Sequence, residues 1–213
     1  MNFGKSISLK VIFPLILILQ LVFAGCSNYN SPYSLHPTGN CYQFYDQYIR
    51  NTGISINTWN EFEKVVFIES AYYTDGGEQN RQKIALGIAA TILNRVESGR
   101  FSDANGSIDN KLWDVLFAPH QFSPVSLHPD WFGNGVCIEN SPFMFDSNGV
   151  PLSYRFERLS SFRQVLLSAL SGVDPTGGAL YFKVPEVSLQ WPCETGICDC
   201  GKVDLGGRTI FYR

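Results

Sequence analysis

Thr58-Trp59-Asn60-Glu61-Phe62-Glu63-Lys64-Val65-Val66-Phe67-Ile68-Glu69-Ser70-Ala71-Tyr72-Tyr73 has helical periodicity and sets one charged residue where an apolar one belongs. Thr58-x-x-Glu61 has the capping-box spacing, in which each side chain satisfies the other residue's free backbone N–H, so the helix is expected to open there. At about 100° per residue, Trp59, Phe62, Val65, Val66, Tyr72 and Tyr73 share one broad arc, with Glu69 near its middle and Glu61, Glu63 and Lys64 off it. A carboxylate on that arc loses water when the helix packs. Desolvation disfavours its charged form, so the pKa of Glu69 is expected to rise. Such a carboxyl suits a general acid, above all at a glycosidic oxygen, which leaves poorly unless protonated. The alternative is a Glu69 near the helix end that reaches solvent or pairs with an arginine.

The chain around this helix has 213 residues, enough for one domain with a real core. A net charge of −3 supplies no basic footprint, so nucleic acid is not an expected partner. Aromatic residues make up 14% of the chain, which favours ring-lined packing or stacking on sugars.

At the N-terminus, Lys5 and Lys10 precede the apolar run Val11 to Ala24 and then Gly25-Cys26. That order reads as an export signal, since the run is short for a membrane span. Phe23-Ala24-Gly25-Cys26 resembles the bacterial lipobox, although Phe23 stands where Leu is preferred, and this resemblance implies lipidation at Cys26 and a membrane anchor. Cleavage after Ala24 to give a soluble exported protein, and a retained anchor, are the alternatives. Residues 27–56 read as a tether with a short N-terminal segment, in which Cys41 to Ile49 forms a short helix closed by Gly53. The folded domain is expected over 57–213.

Within it, Arg81 to Ser98 is the second helix, stopped by Gly99. Ile84, Ala85, Ile88, Ala89, Ile92, Leu93 and Val96 give it a wide apolar arc. Gly87, Ala90, Thr91 and Asn94 form an opposite face narrow enough to admit another helix or a ligand, with Asn94 a candidate polar contact. The chain after Phe101 reads as irregular, Leu116 to Ser123 as a loop with a polar tip, and Pro124 to Tyr154 as a long loop or small lobe. Phe156 to Ser171 is helical, and Asp174 to Gly178 is a turn. Ala179 to Phe182 and Thr209 to Tyr212 are short strands able to pair as a sheet or hairpin. Helices first and short strands last make an α+β fold.

Ile68-Glu69-Ser70-Ala71, Ile92-Leu93-Asn94-Arg95-Val96, Gly99-Arg100-Phe101, Gln121-Phe122-Ser123, Asp174 to Phe182 and Phe211-Tyr212-Arg213 together resemble the cell-wall hydrolase family of spore cortex-lytic enzymes, the SleB-like catalytic domain. The resemblance covers roughly residues 60–213 and rests on the order of the pieces. It implies a lysozyme-like, mainly helical domain with a small sheet, acting on peptidoglycan glycan strands with one catalytic Glu and no cofactor. Glu69 matches that acid. Asn94-Arg95 matches an Asn-Arg pair, and Gln121, Phe122 and Ser123 match a groove loop. Tyr181, Trp191 and Tyr212 are implied groove or core aromatics. The family follows its acid with Ala-Arg-Gly-Glu where this chain has Ser70-Ala71-Tyr72-Tyr73. The chain is also longer between the acid and Asn94. An insertion over 74–80 accounts for both and leaves Glu78 as the rival catalytic residue. A family His near the C-terminus is replaced by Arg208 or Thr209.

No carboxylate stands three or four residues from Glu69, although Asp75 or Glu78 could fold back. A lytic transglycosylase needs no second acid, because the muramic acid C6 hydroxyl supplies the nucleophile. The rival from another class is a non-catalytic peptidoglycan-binding lipoprotein that uses the same groove. His36, His120 and His128 lack metal-ligand spacing, and no metal site is expected. Apart from Cys26, the cysteines are Cys41, Cys137, Cys193, Cys198 and Cys200. Export favours disulfides over zinc for the last three, with Cys41 or Cys137 reaching into that cluster. A Cys137 nucleophile served by His120 or His128 is the remaining alternative.

Overall fold

The computed structural model describes residues 40–72, 77–119, 121–183, 201–206 and 209–213. The export signal, Cys26, His36, His120, Trp191 and Arg208 lie outside the described residues, as does the cluster of Cys193, Cys198 and Cys200. Helix α1 (Asn40–Phe44) runs into a π-helical turn at Tyr45–Ile49 and a 3-10 turn at Arg50–Thr52. Gly53 then reverses the chain at φ 84°. This segment is a layer of the same compact unit as the helices that follow it, because Ile49 and Ile54 are fully buried in the core. The fixing bond is a disulfide from Cys41 to Cys137, across a sequence separation of 96. The expected pairing of either cysteine with the C-terminal cluster is thereby corrected, and so is a Cys137 nucleophile.

Helix α2 (Ile56–Tyr72) opens two residues before the sequence signal. Ser55 caps it, its Oγ accepting the backbone N–H of Thr58 at 3.3 Å. The Thr58–Glu61 capping box does not form, because Glu61 accepts from Lys64 Nζ at 2.8 Å and from the Gly135 N–H at 3.0 Å. Glu61, Glu63 and Lys64, expected off the apolar arc, are fully buried. The reason is that α2 is buried at every residue from Thr58 to Ser70: the Tyr45–Ile49 turn and helices α3 to α6, described below, surround it.

Each of these charges therefore has a partner. Lys64 Nζ also donates to Trp131 O at 2.9 Å and Asn134 Oδ1 at 3.0 Å, clamping the loop at 131–135 onto α2. Burial lowers the pKa of Lys64 against the opposing pull of Glu61. Arg163 reaches across to Glu63 and, at 2.8 Å, to Glu139. Burial works against the Arg163 cation, but the two carboxylates outweigh it and hold the guanidinium charged. Burial also pushes the Glu63 carboxyl above its ordinary range, against the opposing effect of Arg163.

Helix α3 (Glu78–Ser98) is the central element and ends at Gly99, which adopts φ 65°. Ile84, Ala85, Ile88, Ala89, Ile92 and Val96 bury its apolar arc. The opposite face admits the sheet, not a helix: a Cβ on Gly87 would lie 2.5 Å from Phe211 Cζ and 2.8 Å from Leu205 Cδ1. The region read as irregular after Phe101 contains α4 (Ile108–Phe117), capped by Ser107 and buried through Leu112, Val115 and Leu116. The lobe at 124–154 carries α5 (Ser123–Leu127) and 3-10 turns at Pro129–Trp131, Ile138–Asn140 and Pro142–Met144. Helix α6 (Ser153–Leu170) closes the helical layer against α3.

The sheet has three strands, β1 (Tyr181–Lys183), β2 (Lys202–Asp204) and β3 (Ile210–Tyr212), in the order β1-β3-β2. Both pairings are antiparallel, and Phe211 stands opposite Phe182 on one side and Val203 on the other. The two strands expected at the C-terminus do pair, and β2 adds an edge that the sequence reading did not contain. The fold is α+β, mainly helical with one small sheet.

Candidate functional site

Glu69 lies in the last turn of α2 and is 5% exposed. Burial pushes its carboxyl up from 4.5 to about 7, against the opposing effect of the Arg95 cation. The anticipated desolvation therefore outweighs the anticipated arginine. Arg95 stands in the last turn of α3, 3% exposed, and burial brings its own pKa down to about 10, with Tyr181 and Glu69 pulling the other way.

An aromatic cage holds that cation. The guanidinium carbon lies 5.0 Å from the ring centre of Phe101, 5.4 Å from Phe122 and 5.8 Å from Phe182, within cation–π range. Arg95 Nε donates to Leu180 O at 2.7 Å, tying α3 to the start of β1. Phe101 meets Tyr181 edge-on at 5.6 Å. Glu69, Arg95, Phe122 and Tyr181, brought in by α2, α3, the entry to α5 and β1, thus form one neighbourhood.

The neighbouring residue Asn94 has a different task from the one its type suggested. Its Nδ2 donates to Asp174 Oδ2 and to Ala179 O, each at 3.1 Å. Asp174 also accepts from the Thr176 backbone and hydroxyl and from the Gly178 N–H, at 2.8, 2.6 and 2.7 Å. Burial raises this carboxyl, but the hydrogen bonds from Thr176, Asn94 and Gly178 outweigh it and hold it below the usual carboxylate range. The Asp174–Gly178 turn is thereby locked to α3 and aims β1 at Arg95. Asn94 is a strut in this arrangement, with its amide nitrogen already committed inside the protein.

The loop expected to line a groove divides in the same way. Gln121 is half-buried and Ser123 exposed. Phe122, 1% exposed, packs on Arg95, and Tyr212, 7% exposed, lies in β3 under the Lys183 ammonium at 5.9 Å. Both are core aromatics here. Tyr181 is half-buried. Glu78 opens α3, but its side chain lies outside the described residues, as do those of Tyr72 and Tyr73. Thr209, which stands near the family's missing His, is 1% exposed.

Two further features were not read from the sequence. One is the cage itself, for which the signal was Phe101, six residues after Arg95. The other is a cavity floored by Phe67, Ala85 and Phe162 and flanked by Arg81 and Arg158. It lies on a different face of α2 from Glu69, since Phe67 stands about 160° around the helix. This cavity is therefore not at the carboxyl with the strongly shifted pKa. Among the described residues, Cys41, Cys137 and Glu139 bring two sulfurs and a carboxylate oxygen within 4.8 Å of one another, but the sulfurs are bonded to each other.

The family model described as Cell Wall Hydrolase matches residues 77–212. It takes in Glu78, Arg95, Gln121 to Ser123 and the sheet, and it begins eight residues after Glu69. The catalytic domain of the Bacillus cereus SleB protein matches with 23% identity and a TM-score of 0.48, over 76% of this chain and 94% of that one. The catalytic domain of the germination-specific lytic transglycosylase SleB from Bacillus anthracis matches with 22% identity and a TM-score of 0.43, over 72% of this chain and 94% of that one. Comparison with curated proteins gives no match.

Proposed function

The chain belongs to the cell wall hydrolase family, and we propose that it cleaves peptidoglycan glycan strands as a lytic transglycosylase with Glu69 as its one acid–base carboxyl. The observation that carries this reading is the state of Glu69: 5% exposed, with a pKa near 7, it is part protonated at neutral pH. A general acid works best when its pKa lies near the operating pH.

In this mechanism protonated Glu69 donates to the oxygen between N-acetylmuramic acid and N-acetylglucosamine. The bond from the anomeric carbon to that oxygen breaks, and its electron pair stays on the leaving oxygen. Glu69, now a carboxylate, takes the proton of the muramic C6 hydroxyl as that oxygen bonds to the anomeric carbon and closes the 1,6-anhydro ring. One carboxyl serves twice, so no second acid is needed. In this reading Gln121, Ser123 and Tyr181 orient the sugar. The SleB protein of Bacillus anthracis is described as a lytic transglycosylase, which agrees with the proposal but does not carry it. We further propose export of the chain through residues 1–26, with a lipid anchor at Cys26 and residues 27–39 as a tether to the membrane.

The test is digestion of purified peptidoglycan by the protein and by its Glu69→Gln variant, with products identified by mass spectrometry. Anhydro-muropeptides from the wild type and none from the variant are expected. Hydrated reducing ends would replace the transglycosylase by a muramidase and move attention to Asp75 and Glu78. Binding without products in both proteins would leave a glycan-binding lipoprotein in its place.

A further inference from the structure

A desolvated ammonium is costly unless fixed oxygens replace its water, and the fully buried Lys64 draws two of its three from one loop. Its Nζ donates to Glu61 Oε1, Trp131 O and Asn134 Oδ1 at 2.8, 2.9 and 3.0 Å, so α2 grips residues 131–135 from the protein side. The Gly135 N–H donates to Glu61, and Asn60 Nδ2 donates to Gly135 O at 2.7 Å, which closes the clamp. A loop held this firmly is preorganised, and what it turns inward decides what it presents outward.

Asn134 turns its Oδ1 inward, because that atom also accepts the Val136 N–H at 3.0 Å and both of its partners are donors. Its amide nitrogen is thereby directed away from Lys64, on an exposed residue. Trp131 is half-buried, its ring stacked on His128 at 3.9 Å with 6° between the planes and backed by Phe143 at 5.6 Å. Two residues further on, a Cβ at Gly133 would lie 3.8 Å from Phe117, whose ring pairs with that of Trp113 at 4.5 Å. The indole N–H groups of Trp113 and Trp131 have no acceptor among the described residues and, unlike that of Trp59, are not buried, so each opens to solvent.

We infer that His128, Trp131, Asn134, Trp113 and Phe117 form a glycan-binding platform, a subsite for N-acetylated sugars away from Glu69. The inference rests on the glycan-cleaving reading for where the strand is cut, but not for the platform itself. A pyranose has an apolar C–H face and a rim of hydroxyl and acetamido oxygens. Half-buried rings meet such a face without the wide dry contact that a protein partner requires. Indole and amide N–H groups beside those rings are donors only, and they suit the acceptor oxygens of the rim. The platform is also continuous with the loop expected to line a groove. Helix α5 runs from Ser123 to Leu127, and at about 1.5 Å per residue it sets His128 roughly 8 Å beyond Ser123. A glycan strand is a repeating polymer, so one chain spans both places.

The experiment uses the full chain and has two arms. In the first, Glu69→Gln, which on the reading above holds glycan without cutting it, is titrated with the linear hexamer of N-acetylglucosamine while nitrogen-15 NMR follows the indole N–H signals. Those of Trp113 and Trp131 should move together and saturate, and that of Trp59 should stay in place. This arm changes nothing on the platform, so it stands even if a platform variant does not fold.

In the second arm the wild type is compared with Trp131→Ala and Asn134→Asp on solubilised peptidoglycan strands. Asn134→Asp keeps the inward oxygen that Lys64 and Val136 use and replaces only the outward amide nitrogen. KM should rise about tenfold in Trp131→Ala, the scale of losing one stacked ring, and about threefold in Asn134→Asp, the scale of one hydrogen bond, with kcat little changed in either. A purely structural role would lower kcat and leave the parent's indole signals unmoved by glycan. Indole signals that stay in place, or a KM unchanged in both variants, overturn the inference. Saturating indole shifts with no product from the wild type would keep the platform and sink the cleavage reading, and cleavage without those shifts would do the reverse.

Discussion

Replacing Glu69 by Gln should stabilise the protein, and by an amount that depends on pH. Burial raises the carboxyl from 4.5 to about 7. Between those values the folded state binds more protons than the unfolded one, so stability falls as pH rises through the window. The loss is complete above pH 7 and absent below 4.5. A shift of about 2.5 units at about 1.36 kcal/mol per unit corresponds to about 3 kcal/mol. The Gln amide resembles the neutral carboxyl and does not titrate, so the variant avoids that loss. For a domain of this size about 3 kcal/mol is roughly 6–12 °C in Tm. The assay is thermal unfolding by circular dichroism from pH 4 to pH 8. Glu69→Gln should melt with the wild type at pH 4, separate from it between pH 5 and 7, and hold a constant lead at pH 8. A Tm difference that does not change with pH would refute the reasoning, because it would mean that the folded protein does not hold Glu69 at a raised pKa.

Arg163→Met should leave Glu63 and Glu139 buried without their cation and cost about 3–5 kcal/mol at pH 7. A melting point within a degree of wild type would show that the three charges are not a buried unit, and replacing all three by apolar residues should recover most of the loss. Asp174→Ala removes the acceptor of Asn94, Thr176 and Gly178 and should cost about 1–2 kcal/mol, the low end for a charged acceptor because the site is half-exposed. Its carboxyl sits below the usual range, so this contribution is present above the ordinary Asp pKa and lost as pH falls through the folded value. The gap between the variant and wild type in urea titrations should therefore close on acidification, and a gap that persists would count against the hydrogen-bond account.

The sequence carried the burial of Glu69 because a carboxylate in an apolar arc has only one geometric meaning when that arc is packed. The core of α3 and the two strand-like runs at 179–182 and 209–212 were legible for the same reason, as local pattern, while the register that sets Phe182 opposite Phe211 was not. Glu61, Glu63 and Lys64 were misplaced because periodicity assumes one wet face. A helix enclosed on every side has none, and only the distant residues Asn134, Glu139 and Arg163 reveal how its charges are met. Asn94 had the chemistry of a ligand contact, but the turn 80 residues on that claims its amide is tertiary information. The helix α4 was missed because ten residues between irregular segments give a weak pattern. Cysteine pairing depends on which segments meet in space, so no spacing rule could have joined Cys41 to Cys137.

That bond also decides where mechanical load enters the domain. Any tension on the chain upstream of residue 41 meets the disulfide at the second residue of α1 and passes covalently to Cys137. From there it spreads through Glu139 and Arg163 into α2 and α6. Helix α1 need not bear the pull through its packing against Trp59, and the load enters the middle of the molecule without peeling its edge.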